Sequence, residues 1–300
     1  MRILVTGASG MLGHALIPVL EKDHQVFGLT RTDCDLCDEK TVRKIFLRQK
    51  PDTVVHLAAF TNVDGCELDP EKAKAWNEFA TLNVAKAAMD IDAALLYTST
   101  DYVFDGQANR PYSEDARTNP LSVYGKTKLM GEKYVQGMLE RSFIVRTSWL
   151  YGTGGRNFVS TIMGLAREKS ELRVVNDQRG SPTYTRHLAE SLAELVMTRE
   201  YGIYHVTASG DCTWFEFARK ILDLFGLQEI QVVPISTPEC NRPAPRPAYS
   251  VLANQRLISM EVGLLPHWEQ GLESYLAEIR DGGNRADKPI RNRPAEARVV

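Results

Sequence analysis

Five short apolar runs stand out along the first half of the chain: residues 3–6, 26–29, 53–59, 94–98 and 143–147. They are rich in β-branched residues, and their apolar positions run on rather than alternating with polar ones. That pattern predicts strands covered on both faces. Between them, apolar residues recur at helical spacing over 11–21, 39–49, 70–89 and 122–139. A repeating β-α-β order predicts a parallel sheet with right-handed crossovers and helices on both faces. The fold class expected is therefore α/β, a Rossmann-type doubly wound parallel sheet.

Beyond residue 150 the pattern loosens. Helices are predicted at 157–169, 185–198 and 214–225, with short strands at 172–175, 204–206 and 231–234. The division expected is a dinucleotide-binding unit over 1–150 and a smaller C-terminal α/β region over 151–280 that binds the substrate. Residues 241–247 hold three prolines and two arginines, which predicts an ordered loop or a lid. Residues 281–300 carry Gly-Gly, two prolines and few large apolar side chains, which predicts a flexible tail.

Charge adds exclusions. With Lys+Arg at 36 and Asp+Glu at 38, the formal net charge of −2 lacks the basic excess of a general nucleic-acid binder. No apolar run approaches the roughly 18 residues of a membrane span, and the start of the chain offers no secretory h-region. A cytoplasmic protein without nucleic-acid or membrane partners is expected. The cysteines Cys34, Cys37, Cys66, Cys212 and Cys240 are odd in number and scattered, unlike a disulfide framework. Cys34 and Cys37 fit C-x-x-C, yet no second pair or nearby histidines complete a zinc site. They read as small side chains near a cofactor's edge. The six histidines show no metal spacing, so no metal is expected and none is given a catalytic role.

Gly7, Gly10 and Gly13 form G-x-x-G-x-x-G, after a predicted strand and at the start of a predicted helix. Glycines there let the backbone turn and approach a pyrophosphate, while the helix N-terminus supplies N–H groups and positive dipole. An NAD site wants a carboxylate at the end of the second strand. This chain has Thr30 followed by Arg31. A cation suits a 2′-phosphate, so NADPH is expected over NADH, with NADH possible.

Tyr124 and Lys128 form Tyr-x-x-x-Lys, one helical turn apart on one face. An ammonium placed near the phenol and the cofactor ribose favours phenolate, as does the positive charge of an oxidised nicotinamide; moving the pKa down by about 3 units needs roughly 4 kcal/mol, which two close cations in a dry site would supply. The strand at 94–100 ends in hydroxyls, at the end where open α/β sheets place ligands. Thr100 is the favoured donor to a substrate carbonyl, with Ser99 the alternative, since alternation sends the two to opposite faces.

These motifs, with residues 99–104, 123–132, 146–151, 176–183 and 246–250, resemble the extended short-chain dehydrogenase/reductase family. Within it they are most similar to the dTDP-4-dehydrorhamnose reductases, over about residues 1–280. The resemblance implies reduction of the C4 ketone of dTDP-4-dehydro-L-rhamnose, supplying dTDP-L-rhamnose for cell-surface polysaccharide, by a monomer or homodimer. It implies Tyr124 as proton donor, Lys128 as its electrostatic partner and Thr100 tuning the phenol. Gly7, Gly10, Met11, Leu12 and Gly13 would face the cofactor. Thr30, Arg31, Asp35 and Leu36 would surround its adenosine half, and Ala58, Ala59, Phe60, Thr61 and Thr98 would line its path. Thr100, Asp101, Trp149 and Asn157 would meet the nucleotide sugar. Arg179, Arg242 and Arg246 are candidate donors to the substrate's pyrophosphate.

Two other readings share the scaffold. One is a different nucleotide-sugar 4-ketoreductase, epimerase or dehydratase; Thr100-Asp101-Tyr102 lacks the Asp-Glu pair expected after the threonine of a dehydratase. The other is a non-catalytic NADP-binding regulatory subunit, like the β subunit of methionine adenosyltransferase. An intact Thr100, Tyr124 and Lys128 set weighs against it.

Overall fold

The computed structural model describes residues 1–283 of the 300-residue chain. Its first half runs β1 (Arg2–Thr6), α1 (Met11–Leu20), β2 (Gln25–Leu29), α2 (Glu39–Gln49), β3 (Thr53–His56), α3 (Val63–Leu68) and α4 (Pro70–Lys74). A π-helical turn (Ala75–Phe79) leads into α5 (Ala80–Asp90), β4 (Ala94–Thr100), a 3₁₀ turn (Asp101–Val103), α6 (Val123–Met138) and β5 (Ser142–Thr147). The rest comprises β6 (Leu150–Tyr151), α7 (Phe158–Ala166), β7 (Glu171–Val175), β8 (Arg179–Gly180), β9 (Thr183–Tyr184), α8 (Thr185–Thr198) and β10 (Gly202–His205). Then come β11 (Cys212–Thr213), α9 (Trp214–Phe225), β12 (Gln231–Ile235), α10 (Thr237–Cys240), α11 (Gln255–Met260) and α12 (Trp268–Gly283).

Six strands form one sheet in the order β10-β5-β4-β3-β1-β2, and every neighbouring pair is parallel. The strand order reverses beside β1, and a crevice opens there at the C-terminal strand ends. One face of the sheet packs Ile3, Val5 and Val145 against Leu12 and Leu16 of α1 and Leu188 and Leu192 of α8. The other packs Leu4, Val54 and Leu95 against Phe46 of α2 and Val84 and Ala88 of α5. These apolar strands are buried on both sides, as their continuous runs predict. A third cluster joins Val159 of α7, Phe217 and Ile221 of α9 and Leu272 of α12.

Three expectations need correction. The strand predicted over 53–59 stops at His56, and residues 57–62 form an open loop along the crevice. The single helix predicted over 70–89 is broken by the π turn. There the buried Asn77 carboxamide accepts the Phe60 N–H at 2.7 Å and donates to the Phe60 carbonyl at 3.1 Å and the Thr127 hydroxyl at 3.2 Å. Those long-range bonds outweigh a regular helical register. The boundary expected at residue 150 is crossed, because α8 and β10 return to complete the first unit's sheet and core. As for the expected tail, α12 runs through Gly283, and the remainder lies outside the described residues.

Candidate active site

The crevice is a cleft of about 600 Å³ floored by the strand ends. Gly7, Gly10, Met11, Leu12 and Gly13 line one end of it. A Cβ on Gly13 would lie 2.4 Å from the Gly7 carbonyl oxygen, so only glycine lets α1 begin so close to the loop. Gly10 is the N-cap of α1 and, having no side chain, leaves the first-turn N–H groups unclaimed by a cap. Thr98 Oγ1 and Thr147 Oγ1, at the ends of β4 and β5, are buried on the cleft wall without a hydrogen-bond partner. A glycine cradle beside a helix N-terminus, with orphaned hydroxyls along the floor, fits a dinucleotide.

At the far end of that cradle lie Thr30, Arg31, Cys34 and Leu36. Thr30 gives its N–H and its hydroxyl to Asp33 Oδ2, at 2.8 and 2.5 Å. The Arg31 guanidinium lies over the Trp76 indole, 4.1 Å from the ring centroid. Asp35 is not on the cleft wall: its carboxylate accepts the Cys37 N–H at 3.0 Å and shapes the loop. Leu57, Ala58, Ala59 and Thr61 line the cleft, whereas the Phe60 side chain does not and instead meets the Lys72 ammonium. Cys34 does face the cleft, as a small side chain beside a cofactor would. All five cysteines are free thiols, and burial pushes Cys34 and Cys37 up to about 11.

The Tyr-x-x-x-Lys pair sits on the first turns of α6, which starts at the Ser122 N-cap with a hydroxyl-to-Gly125 N–H bond of 3.2 Å. Tyr124 and Lys128 both reach the cleft wall, as does Thr100 at the end of β4. The Thr100 hydroxyl donates to Asp101 Oδ1 at 3.0 Å and accepts the Tyr102 N–H at 3.1 Å. Ser99 also borders the cleft, but its hydroxyl is engaged by Glu132. Glu132 in turn forms a buried two-pronged pair with Arg146, at 2.7 and 3.0 Å, which fixes the layer beneath.

Burial sets the electrostatics of the chain's own groups here. Burial raises the Tyr124 phenol above its ordinary value, against the lowering effect of the Thr100 bond. The Lys128 ammonium lies 4.2 Å from the Tyr97 ring centroid, and burial lowers it to about 7 despite the nearby Glu132 carboxylate. Tyr124 is therefore a protonated acid at neutral pH. Asp101 is raised to about 7, chiefly by burial, with bonds from Ser250 and Thr100 opposing.

A second cavity of about 490 Å³ adjoins the cleft and shares Val63, Tyr102 and Trp214 with it. Arg242 and Arg246 line it; both pair with Asp64, at 3.1 and 3.0 Å. Their loop, residues 241–247, is the ordered loop predicted. Trp149 lines the cleft with a left-handed backbone, φ 49°, and stacks on Trp214 with ring centroids 3.4 Å apart. Gly180 makes room for it, since a Cβ there would lie 2.5 Å from the indole.

Two candidates lie elsewhere. Asn157 caps α7 and donates to the Gly152 carbonyl at 2.8 Å, bordering neither cavity. Arg179 is held by Asp211 at 2.6 Å and Glu216 at 3.2 Å, also away from both. Sequence reasoning missed Trp76, Trp214 and Thr147. Only Trp214 carried a local signal, as the first helical residue inside the Thr213–Glu216 capping box that starts α9.

The sheet, the glycine cradle and the Tyr124–Lys128 helix face together define a dinucleotide-binding protein of the short-chain dehydrogenase/reductase class. Residues 1–281 match the model of the RmlD substrate binding domain family, and the chain belongs to that family. It is 44% identical to the spore coat polysaccharide biosynthesis protein SpsK of Bacillus subtilis, over 92% of this chain and 97% of that one. It is 41% identical to a dTDP-4-dehydrorhamnose reductase of Streptomyces griseus, over 96% of each. The crystal structure of the Bacillus anthracis dTDP-4-dehydrorhamnose reductase, in complex with NADP, superposes with a TM-score of 0.90 at 38% identity, covering 92% of this chain and 99% of that one. Among the described residues no helix is long and apolar enough to cross a membrane.

Proposed function

We propose that this chain is an NADPH-dependent reductase that turns the C4 ketone of dTDP-4-dehydro-L-rhamnose into the alcohol of dTDP-L-rhamnose. The observation that carries the reading is the meeting of Thr100, Tyr124 and Lys128 on one wall of a cleft whose other end is the glycine cradle. Family membership and the named activities of its relatives support the substrate class. Five free thiols accord with the cytoplasm as its compartment.

Gly7, Gly10, Met11, Leu12 and Gly13 would hold the cofactor's pyrophosphate, Thr30, Arg31 and Leu36 its adenosine half, and Ala58, Ala59, Thr61 and Thr98 its path toward β4. When bound, NADPH supplies the reducing equivalent at its nicotinamide ring. Tyr124 gives its phenolic proton to the sugar's O4 as negative charge develops there. Burial keeps that proton in place until then, which suits the reductive direction. The Thr100 hydroxyl orients the phenol, and its bond to Asp101 fixes the hydroxyl's own direction. Lys128, lowered by burial to about 7, brings a partial positive charge to the same wall. The second cavity, with Arg242 and Arg246 on its wall and Trp149 and Trp214 at its junction with the cleft, receives the nucleotide end of the substrate.

The test is NADPH consumption by the purified protein with dTDP-4-dehydro-L-rhamnose, beside a panel of other nucleotide 4-keto sugars. Turnover with the first substrate supports the reading. Turnover only with another ketone reassigns the substrate, and tight NADPH binding with no turnover on any of them points to a regulatory subunit.

A further inference from the structure

Arg31 is unlike the other arginines beside the cavities. Arg242 and Arg246 share the Asp64 carboxylate, but among the described residues Arg31 has no hydrogen bond and no ion pair. Its one specific contact is the face of Trp76, 4.1 Å from guanidinium carbon to ring centroid. Both side chains line the adenosine end of the cleft. An exposed guanidinium on a long stem ordinarily samples many rotamers, and ordering it has an entropic cost. An indole face is the strongest aromatic platform for a cation.

Trp76 is itself held unusually. It belongs to the π turn, a geometry that is rare and frequently found at functional sites. Its neighbour Asn77 is fully buried and anchors that turn to the Phe60 backbone and to Thr127 of α6. The indole platform is thus tied to the β3 loop and to the helix that carries Tyr124 and Lys128. The nearby Asp33 carboxylate accepts the Thr30 N–H and hydroxyl, and it stands outside the cleft wall.

We propose that Trp76 is a positioning residue for cofactor choice: it holds the Arg31 guanidinium flat, so that one guanidinium face rests on the indole and its unpaired N–H groups are presented to a 2′-phosphate. This deepens the reading of the cleft as an NADPH site and rests on it. The π turn, through Trp76, then sets the preference for a phosphorylated adenosine, and the C4 chemistry is unaffected.

Binding alone tests this, without turnover. Calorimetric titration of the wild-type protein compares adenosine 2′,5′-bisphosphate with adenosine 5′-monophosphate. The first should bind roughly tenfold or more tightly, as a charge-assisted Arg–phosphate contact allows. Arg31→Ala should bring that ratio close to one. Trp76→Ala should lower it by roughly two- to fivefold, the worth of an exposed cation–π contact. Trp76→Phe should keep most of it. Because Arg31 and Trp76 also border the adenosine itself, the bisphosphate-to-monophosphate ratio within each variant is the readout, and measurable monophosphate binding in each reports an intact cleft. A ratio near one in the wild type overturns the cofactor preference itself and this inference with it. A high ratio that Arg31→Ala abolishes and Trp76→Ala leaves intact overturns the role of Trp76 alone.

Discussion

Trp149 and Trp214 lie face to face, ring centroids 3.4 Å apart and planes 4° from parallel, though 65 positions separate them in the chain. Trp214 borders both cavities, while Trp149 borders the cleft alone. Trp214 therefore backs the ring expected to meet the sugar. Trp214→Ala should raise KM for the nucleotide sugar by roughly three- to tenfold, the worth of one aromatic pair, with kcat nearly kept. Trp214→Phe should recover most of the loss. Steady-state kinetics with varied sugar at saturating NADPH checks both.

Arg246 and Arg179 should respond differently to truncation. Arg246 lines the second cavity, is only 12% exposed and grips Asp64 through two nitrogens. Arg246→Ala should weaken substrate binding and leave the half-buried Asp64 carboxylate with only Arg242 and the Ala244 N–H as partners, lowering the melting temperature modestly. Arg179 is 38% exposed and pairs only at the surface. Arg179→Ala should cost about 1 kcal/mol or less and leave KM unchanged. Parallel melts and KM values for the two variants decide between a shared and a divided role.

Asp101 gives a pH signature. Its folded pKa of about 7 stands above the ordinary 3.8 because burial penalises the carboxylate. Between those values the folded state holds more protons than the unfolded one. The group's contribution is fully present below pH 4 and is lost as pH rises through 7. The isosteric Asp101→Asn should match the wild type near pH 4 and exceed it at pH 8, with a ceiling of about 4 kcal/mol. Denaturant melts at the two pH values measure the difference; a constant gap would remove the assignment.

Features set by short-range spacing were legible in the sequence. Three glycines between a strand and a helix, and a tyrosine and lysine one turn apart, declare their geometry locally, and both reach the cleft. Strand alternation sets Ser99 and Thr100 apart without choosing between them; both border the cleft, and the Ser99 hydroxyl is taken up by Glu132. What failed depended on partners far along the chain. Arg179 was read as a phosphate donor because nothing local reveals that Asp211 and Glu216 claim it. Asn157 was read as a ligand group and proved to be a helix cap, a role its type often plays. The downward pKa expected of Tyr124 rests on two cations, the ammonium and an oxidised nicotinamide, of which the chain supplies only the first. In the fold Lys128 lies over Tyr97, and burial dominates.

The central claim is that Tyr124 delivers the proton that completes ketone reduction. The most direct measurement is kcat of Tyr124→Phe with dTDP-4-dehydro-L-rhamnose, alongside its affinity for NADPH by fluorescence titration. The account expects kcat to fall by roughly 10²–10⁴-fold with NADPH affinity unchanged. Turnover at the wild-type rate, with the cofactor still bound, would contradict it.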